Sequence, residues 1–389
     1  MTWRAVKFRE VISMLSGFAF EADLFNTTGN GLPVVRIRDV VRGYSETFYD
    51  GPFDKKFIVK DGDFLIGMDG EFNISAWRGG DALLNQRVCK IDTVDERRVD
   101  KNYLAYFLSL ALKKIEDATP FVTVKHLSIK TLNSLDVPLP PLAEQQRIAA
   151  ILDCAAALRA KRRATLAKLD ELLQATFIEM FGEPVTNPKG WDICPLSDCL
   201  VGSASNGFFA KGDKYTTRGT PIIWISDFID LFYAKVDNIK RVEANAKDIA
   251  KNQVRYGDVL FCRSSLTPAG IGKASIIPPG DLEGTIFECH IIKCTLNQSV
   301  LLPEFFRVFS DTPYFRQQIL KHAKTATMTT ISQQGIVNNK VFVPPLEMQQ
   351  KFKEACNQIL TQRELSVKSL AVFDTFFHSL QQRAFRGNL

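Results

Sequence analysis

The chain contains itself twice. PPLAEQQ at residues 140–146 returns as PPLEMQQ at residues 344–350, an offset of 344 − 140 = 204. The upstream pieces return in the same order. WRAVKF from Trp3 answers WDICPL from Trp191, GLPVVRIRD from Gly31 answers GTPIIWISD from Gly219, and DGDFLIG from Asp61 answers YGDVLFC from Tyr256. Solenoid repeats have periods of roughly 20 to 50 residues, so a period this long means a duplicated domain and a duplicated connector. A chain of this kind carries two similar, non-identical sites at a set spacing.

The connectors are the most regular part. VPLPPL from Val137 and VPPL from Val343 are extended proline segments, which suit the approach to a new helix. The first predicted helix carries an apolar stripe through Ile148, Leu152, Ala155, Leu158, Leu166, Leu169, Leu173, Phe177 and Met180. The second runs through Phe352, Cys356, Ile359, Val367, Leu370, Phe373, Phe377, Leu380 and Ala384. Spacings of three and four over roughly 40 residues, or about 60 Å, predict a coiled coil. Because the termini of a compact domain lie close together, the domain between the helices forces them to run antiparallel. The expectation is an α+β protein with an approximate internal two-fold. It has globular domains over residues 1–142 and 184–346 and long helices over 143–183 and 347–389, a dumbbell on a rod.

Within the first domain, VVRIRDV from Val34, KFIVKDGDFLIG from Lys56 and RVCKI from Arg87 read as strands, and NYLAYFLSLALKKI from Asn102 has helical spacing. The second domain repeats the order with PIIWISDF, DVLFC, FECHIIKCTL and a helix at EFFRVF. The chain has 389 residues and a formal net charge of +6. That charge permits nucleic-acid binding without demanding it, so any basic footprint is local. No apolar run is long enough for a membrane span. The N-terminal residues lack a secretory core, and the eight scattered cysteines fit a reducing cytoplasm.

Catalytic motifs are missing. There is no P-loop, no G-x-G-x-x-G after a strand and no H-E-x-x-H. Nor is there the Asp/Asn-Pro-Pro-aromatic tetrapeptide of amino-methyltransferases. Asp54–Lys56 has the D-x-K form of a nuclease fragment without a preceding Pro-Asp. Cys194, Cys199, Cys289 and Cys294 make two C-x4-C pairs, with Cys262 and His290 nearby in sequence. On a continuous strand Cys289 and Cys294 face opposite ways, so the pattern predicts buried thiols and no metal.

Candidate binding residues sit in the loops after the Gly-Asp strands. The first loop offers Asn73, Ser75 and Arg78, followed by Asn85, Gln86 and Arg87. The second offers Arg263, Ser264, Ser265, Thr267 and Lys273, followed by His290. These are side-chain types that read base edges in a major groove. Lys125, His126, Thr329 and Thr330 precede the connectors and suit either phosphate contact or capping of a short helix. The basic cluster Arg159, Lys161, Arg162 and Arg163 reads as a solvated helix face.

At the doubled P-P-L-x-x-Q-Q motif, with the tryptophan openings, the Gly-Asp strands and two long helices, the chain resembles the specificity subunits of type I restriction-modification systems over essentially its whole length. The resemblance implies two target recognition domains reading halves of a split double-stranded DNA site. It implies helices that set the spacer and dock two modification (methyltransferase) subunits, and two restriction (translocase/nuclease) subunits further out. S-adenosylmethionine, ATP and Mg are then expected on those partners, with no cofactor and no catalysis in this chain. The competing reading is a coiled-coil scaffold that joins two binding modules and does not touch DNA. The second copy departs from the pattern at Met348 and at Glu288–Cys289, which stand where Glu144 and Asn85–Gln86 stand in the first.

Overall fold

The structure is a computed structural model and describes residues 3–119, 125–212 and 215–389. The chain divides into two compact units, Met1–Ala164 with Lys368–Leu389, and Thr165–Val367.

In the first unit, Ala5–Lys7 pairs antiparallel with Asp136–Pro138, so the beginning and end of the domain meet. A four-stranded antiparallel sheet runs in the order Ile12–Ser16, Val88–Thr93, Phe64–Gly67, Ile74–Ala76. A five-stranded sheet follows the order Phe25–Asn26, Phe48–Tyr49, Leu32–Val35, Ala82–Leu84, Ile58–Val59, with one parallel pair at its centre. Strand alternation divides the interior in two. Leu65 and Val88 enter a core with Val34, Trp77 and Leu83. Their neighbours Ile66 and Cys89 enter another with Leu104, Leu108 and Leu112 of the helix Lys101–Ala118, as the two-residue period of a strand requires.

The second unit repeats the plan. Asp192–Pro195 pairs with Lys340–Val343, and the four-stranded order is Ser205–Asn206, Ile291–Thr295, Asp258–Cys262, Ala274–Ile276. A second four-stranded sheet is ordered Tyr215–Thr216, Arg241–Val242, Thr220–Ile223, Ile286–Phe287. Leu260 and Cys262 face one core, Val259 and Phe261 the other. This unit adds a small three-stranded sheet of Ser264–Ser265, Thr329–Thr330 and Lys324–Thr325.

The doubled Gly-Asp has a physical cause. Gly62 and Gly257 take positive φ, +88° and +84°, a conformation glycine reaches without Cβ strain. The next residue then closes the turn. Asp63 Oδ2 accepts from the Lys60 amide at 2.8 Å and from Lys90 Nζ at 2.7 Å. Asp258 Oδ2 accepts from the Arg255 amide at 2.8 Å and lies 3.6 Å from Lys293 Nζ.

Two sequence expectations are corrected. VVRIRDV is not one strand: it stops at Val35, and Ile37–Arg42 is a helix. Asp39 Oδ2 accepts from the Arg36 amide at 3.0 Å and caps the new helix, which overrides the β-branched run. Asp227 does the same for Trp224 at 2.9 Å, ahead of the single turn Ile225–Asp227. FECHIIKCTL is also broken. Ile286–Phe287 pairs parallel with Thr220–Ile223, Ile291–Thr295 belongs to the other sheet, and residues 288–290 turn between them.

The long helices are Leu142–Phe181 and Leu346–Phe385, 40 residues each. The repeated glutamine of the proline motif is a buried clamp. Gln145 Oε1 accepts from the Asp100 amide, and its Nε2 donates to the Arg98 and Pro140 carbonyls. Gln349 Oε1 accepts from the Leu302 amide, and its Nε2 donates to the Val300 and Pro344 carbonyls. Both side chains are fully buried.

Each unit on its own shows the helices antiparallel. In the first, Ile148, Leu152 and Ala155 pack with Phe377, Leu380 and Ala384, and Arg159 bonds Asp374 at 2.6 Å. In the second, Phe177 meets Phe352 with ring centroids 5.6 Å apart, and Arg363 bonds Asp170 at 2.7 Å. Phe177 therefore packs beside Phe352 in the second unit. Leu158 and Val367, assigned to the stripes by spacing, are exposed. The basic cluster is also not simply solvated. Arg159 lies 4.4 Å over the Phe377 ring and Arg162 4.3 Å over Phe373, and Arg162 Nη1 bonds Ser369 Oγ.

Candidate nucleic-acid interface

The residues joining the two larger sheets form a tight turn in each unit. In the first it is Asn85–Gln86–Arg87, closed by the Val88 amide donating to the Asn85 carbonyl at 2.9 Å. Beneath it passes Gly17. A Cβ there would lie 2.0 Å from the Asn85 carbonyl oxygen, so only glycine lets the backbones approach. Phe18 then pairs with Asn85. In the second unit the turn is Glu288–Cys289–His290. Gly207 passes beneath it, its hypothetical Cβ 2.2 Å from the Phe287 oxygen, and Phe208 pairs with Glu288. The backbone frame is the same, while the displayed side chains differ.

Around the first turn the surface is basic. A cavity of about 580 Å³ is lined by Phe25, Arg36, Ile37, Arg38, Asn85 and Arg87. Arg36 sits 5.9 Å over the Phe25 ring and bonds Thr47 Oγ1, and its buried Nε has no partner. Arg38 is exposed. On the other side of the turn, Arg87 Nη1 donates to Asp69 Oδ2 at 2.9 Å, and Asp69 Oδ1 lies 2.5 Å from His126 Nδ1. The structure thus gathers Asn85, Arg87 and His126 and adds Arg36 and Arg38, which sequence reasoning left inside a strand. Gln86 is exposed on the turn.

The remaining first-unit candidates lie elsewhere. Ser75 and Arg78 line a separate cavity of about 420 Å³ with Tyr106, Asp153, Arg159 and Phe377. Asn73 Nδ2 donates to the Glu71 carbonyl. Lys125 Nζ donates to the Glu116 carbonyl at the end of the helix Lys101–Ala118.

In the second unit, Arg263, Ser264, Ser265, Thr330 and His290 come together. The Arg263 amide donates to the His290 carbonyl at 2.9 Å, and Arg263 Nη1 donates to the Cys289 carbonyl at 3.0 Å. Ser264 and Ser265 pair with Thr330 and Thr329. Thr329 is buried, its hydroxyl 3.0 Å from that of Thr325, so it has no face for a ligand. Thr267 is exposed, and Lys273 is paired with Asp230. None of Lys125, His126, Thr329 and Thr330 caps the short helices that follow them. Ser128 Oγ accepts from the Thr131 amide and Ser332 Oγ from the Gly335 amide, and these two serines are the caps.

Where the first unit has Arg36 and Arg38, the second has Trp224 and Ser226 at the 188-residue offset that separates Gly31 from Gly219. Trp224 lies edge-on to Tyr215, centroids 5.2 Å apart, with Lys240 Nζ 3.8 Å over its ring. Burial and the neighbouring Glu288 and Cys289 raise the Tyr215 phenol. The Cys289 thiol is raised mainly by burial, then by Glu288.

A duplicated frame that displays different polar side chains at equivalent turns defines a class: paired recognition domains on antiparallel helices. Comparison with known proteins narrows it. Residues 1–168 match the family described as the type I restriction modification DNA specificity domain. The chain is 28% identical to the EcoBI specificity subunit of Escherichia coli, covering 100% of this chain and 86% of that one. It is 22% identical to the EcoKI specificity subunit of E. coli K12, over 76% and 67% of the two chains. The fold is similar to that of the crystallised S subunit from M. genitalium, with a TM-score of 0.53, 14% identity and coverage of 99% and 96%. By these matches the chain is similar to the specificity subunits of type I restriction-modification systems.

Proposed function

We propose that the chain is the non-catalytic subunit that selects the DNA sequence for a type I restriction-modification complex, and that its two units read different halves of a split, asymmetric site. One observation carries this reading: Asn85–Gln86–Arg87 and Glu288–Cys289–His290 occupy equivalent turns on a duplicated frame and offer different donors and acceptors. Arginine and asparagine suit guanine and adenine edges in the major groove. The arginines around the first turn also suit phosphates. The long helices dock two modification subunits, with two restriction subunits further out, and S-adenosylmethionine, ATP and Mg belong to those partners.

Two measurements test this. Titration of the chain with random duplex DNA at low and moderate salt gives binding that weakens steeply as salt rises, because neutralised phosphates release counterions. A scaffold that ignores DNA shows no such binding. Methylation mapping in cells carrying the full system returns a bipartite, non-palindromic target. A continuous or palindromic one overturns the split-site reading.

A further inference from the structure

The turn of the second unit, counted above among the proposed reading turns, also gathers three metal-ligating side-chain types. Glu288, Cys289 and His290 converge, with one donor atom from each lying within 4.8 Å of the others. Among the described residues this is the one set of three His, Cys, Asp or Glu groups that does so. Glu288 Oε2 is 2.9 Å from His290 Nδ1, and Cys289 Sγ is 3.6 Å from the same nitrogen. A zinc ion with Zn–S of about 2.3 Å and Zn–N of about 2.0–2.1 Å at tetrahedral angles holds its sulfur and nitrogen donors about 3.6 Å apart. The sulfur and nitrogen therefore already stand at coordination spacing, and the Glu288 oxygen, now hydrogen-bonded to the same nitrogen, is close enough to join them.

The surroundings favour an ion. The Glu288 side chain is 93% buried while His290 is more than half exposed, so the carboxylate is anchored and the imidazole can adjust. The Glu288 carboxylate also accepts from the His290 amide at 2.9 Å, and the Cys289 carbonyl is held by Arg263. The turn is thus held by the Glu288 carboxylate and the Arg263 guanidinium while its side chains converge. The equivalent turn of the first unit, Asn85–Gln86–Arg87, has the same backbone frame and no such donors, so the turn does not need these side chains to fold.

We propose that Glu288, Cys289 and His290 form a three-ligand site for a borderline-soft divalent ion, Zn²⁺ by the chemistry of a carboxylate, a thiolate and an imidazole. Three protein ligands leave a fourth position for water or for a donor from whatever faces the turn. Binding displaces the thiol proton, so affinity falls as the solution is acidified.

The test uses the full chain without DNA, so it succeeds or fails independently of the recognition role. Metal-stripped protein is titrated with Zn²⁺ against a chromophoric chelator and, separately, with Co²⁺ while the near-ultraviolet thiolate-to-metal band is followed. One equivalent is bound, and the Co²⁺ band appears with it. Cys289→Ser abolishes the band, His290→Ala removes the tight equivalent, and thermal melting of both metal-free variants matches the parent. Cys194→Ser with Cys199→Ser, which removes the other close sulfur pair (3.5 Å apart), leaves the equivalent in place. Failure to bind, binding that survives in both Cys289→Ser and His290→Ala, or loss in the Cys194/Cys199 variant overturns the assignment.

Discussion

Gln145 and Gln349 show how a polar residue becomes the fixed point of a fold. Each makes two hydrogen bonds from the first turn of a long helix to the loop that precedes another helix, and a third to the proline carbonyl just before its own helix. Truncation leaves a buried amide and two buried carbonyls unpaired. Gln145→Ala and Gln349→Ala are therefore each expected to cost about 2–3 kcal/mol, measured as a lowered melting midpoint. The neighbouring surface glutamines Gln146 and Gln350 should tolerate alanine with little change. The thiols give a second residue-level prediction. Burial pushes Cys89 and Cys262 up to about 11 and Cys294 and Cys356 up to about 12, from 9.0. Above pH 9 the unfolded chain gives up these protons while the native chain keeps them. The native state then binds more protons, and stability falls with rising pH between about 9 and 12. The loss should shrink in Cys294→Ala, compared as unfolding midpoints at pH 8 and 10.5. The motif glutamines were visible in the sequence as a repeat, yet their burial was not, because an amide reads as surface until its three backbone partners are brought to it.

At the scale of elements, the two helix-bridging ion pairs are copies of each other. Arg159 and Arg363 are 204 residues apart, as are Asp170 and Asp374, so each helix supplies one arginine and one aspartate. The copies differ in surroundings. Arg159 stacks on Phe377 and is 22% exposed, while Arg363 is 42% exposed. Arg159→Ala is expected to cost about 1–2 kcal/mol through lost stacking and pairing, and Arg363→Ala distinctly less. Equal losses in urea titrations would show that the stacking contributes nothing. The proposed reading turn depends on the backbone that passes beneath it. Gly17→Ala forces the Asn85 backbone away and should destabilise the first unit by about 2–3 kcal/mol while weakening DNA binding, whereas Gly70→Ala, in open space, strains only its own backbone. Helices and Gly-Asp turns were legible here because period and turn chemistry are local. The short helix Ile37–Arg42 was not, since one aspartate cap outweighed a β-branched run. Nor was the Arg36–Arg38 groove, which exists only once that helix and a turn some fifty residues later are folded together.

For the whole molecule, what matters is that each long helix begins in one unit and ends in the other. The proposed split site then acquires its spacer from helix length. From Arg159 to Asp170 is eleven residues along the first helix, and from Asp374 to Arg363 is eleven back along the second. Eleven residues are about three turns of either helix. Inserting four residues between Arg159 and Asp170 alone puts the two ion pairs and the aromatic contacts at Phe177 and Phe377 out of step, and should lower the melting midpoint and abolish methylation. Inserting four residues in each helix, the second between Arg363 and Asp374, adds about one turn, or about 6 Å, to both. Pairing is preserved and the reading turns are untouched. DNA advances about 34 Å over roughly ten base pairs, so the expected target keeps both half-sites and gains about one or two base pairs of spacer. Methylome sequencing of cells carrying each variant with its partner subunits decides the matter. Retained methylation with an unchanged spacer in the paired insertion would mean that something other than these helices sets the distance.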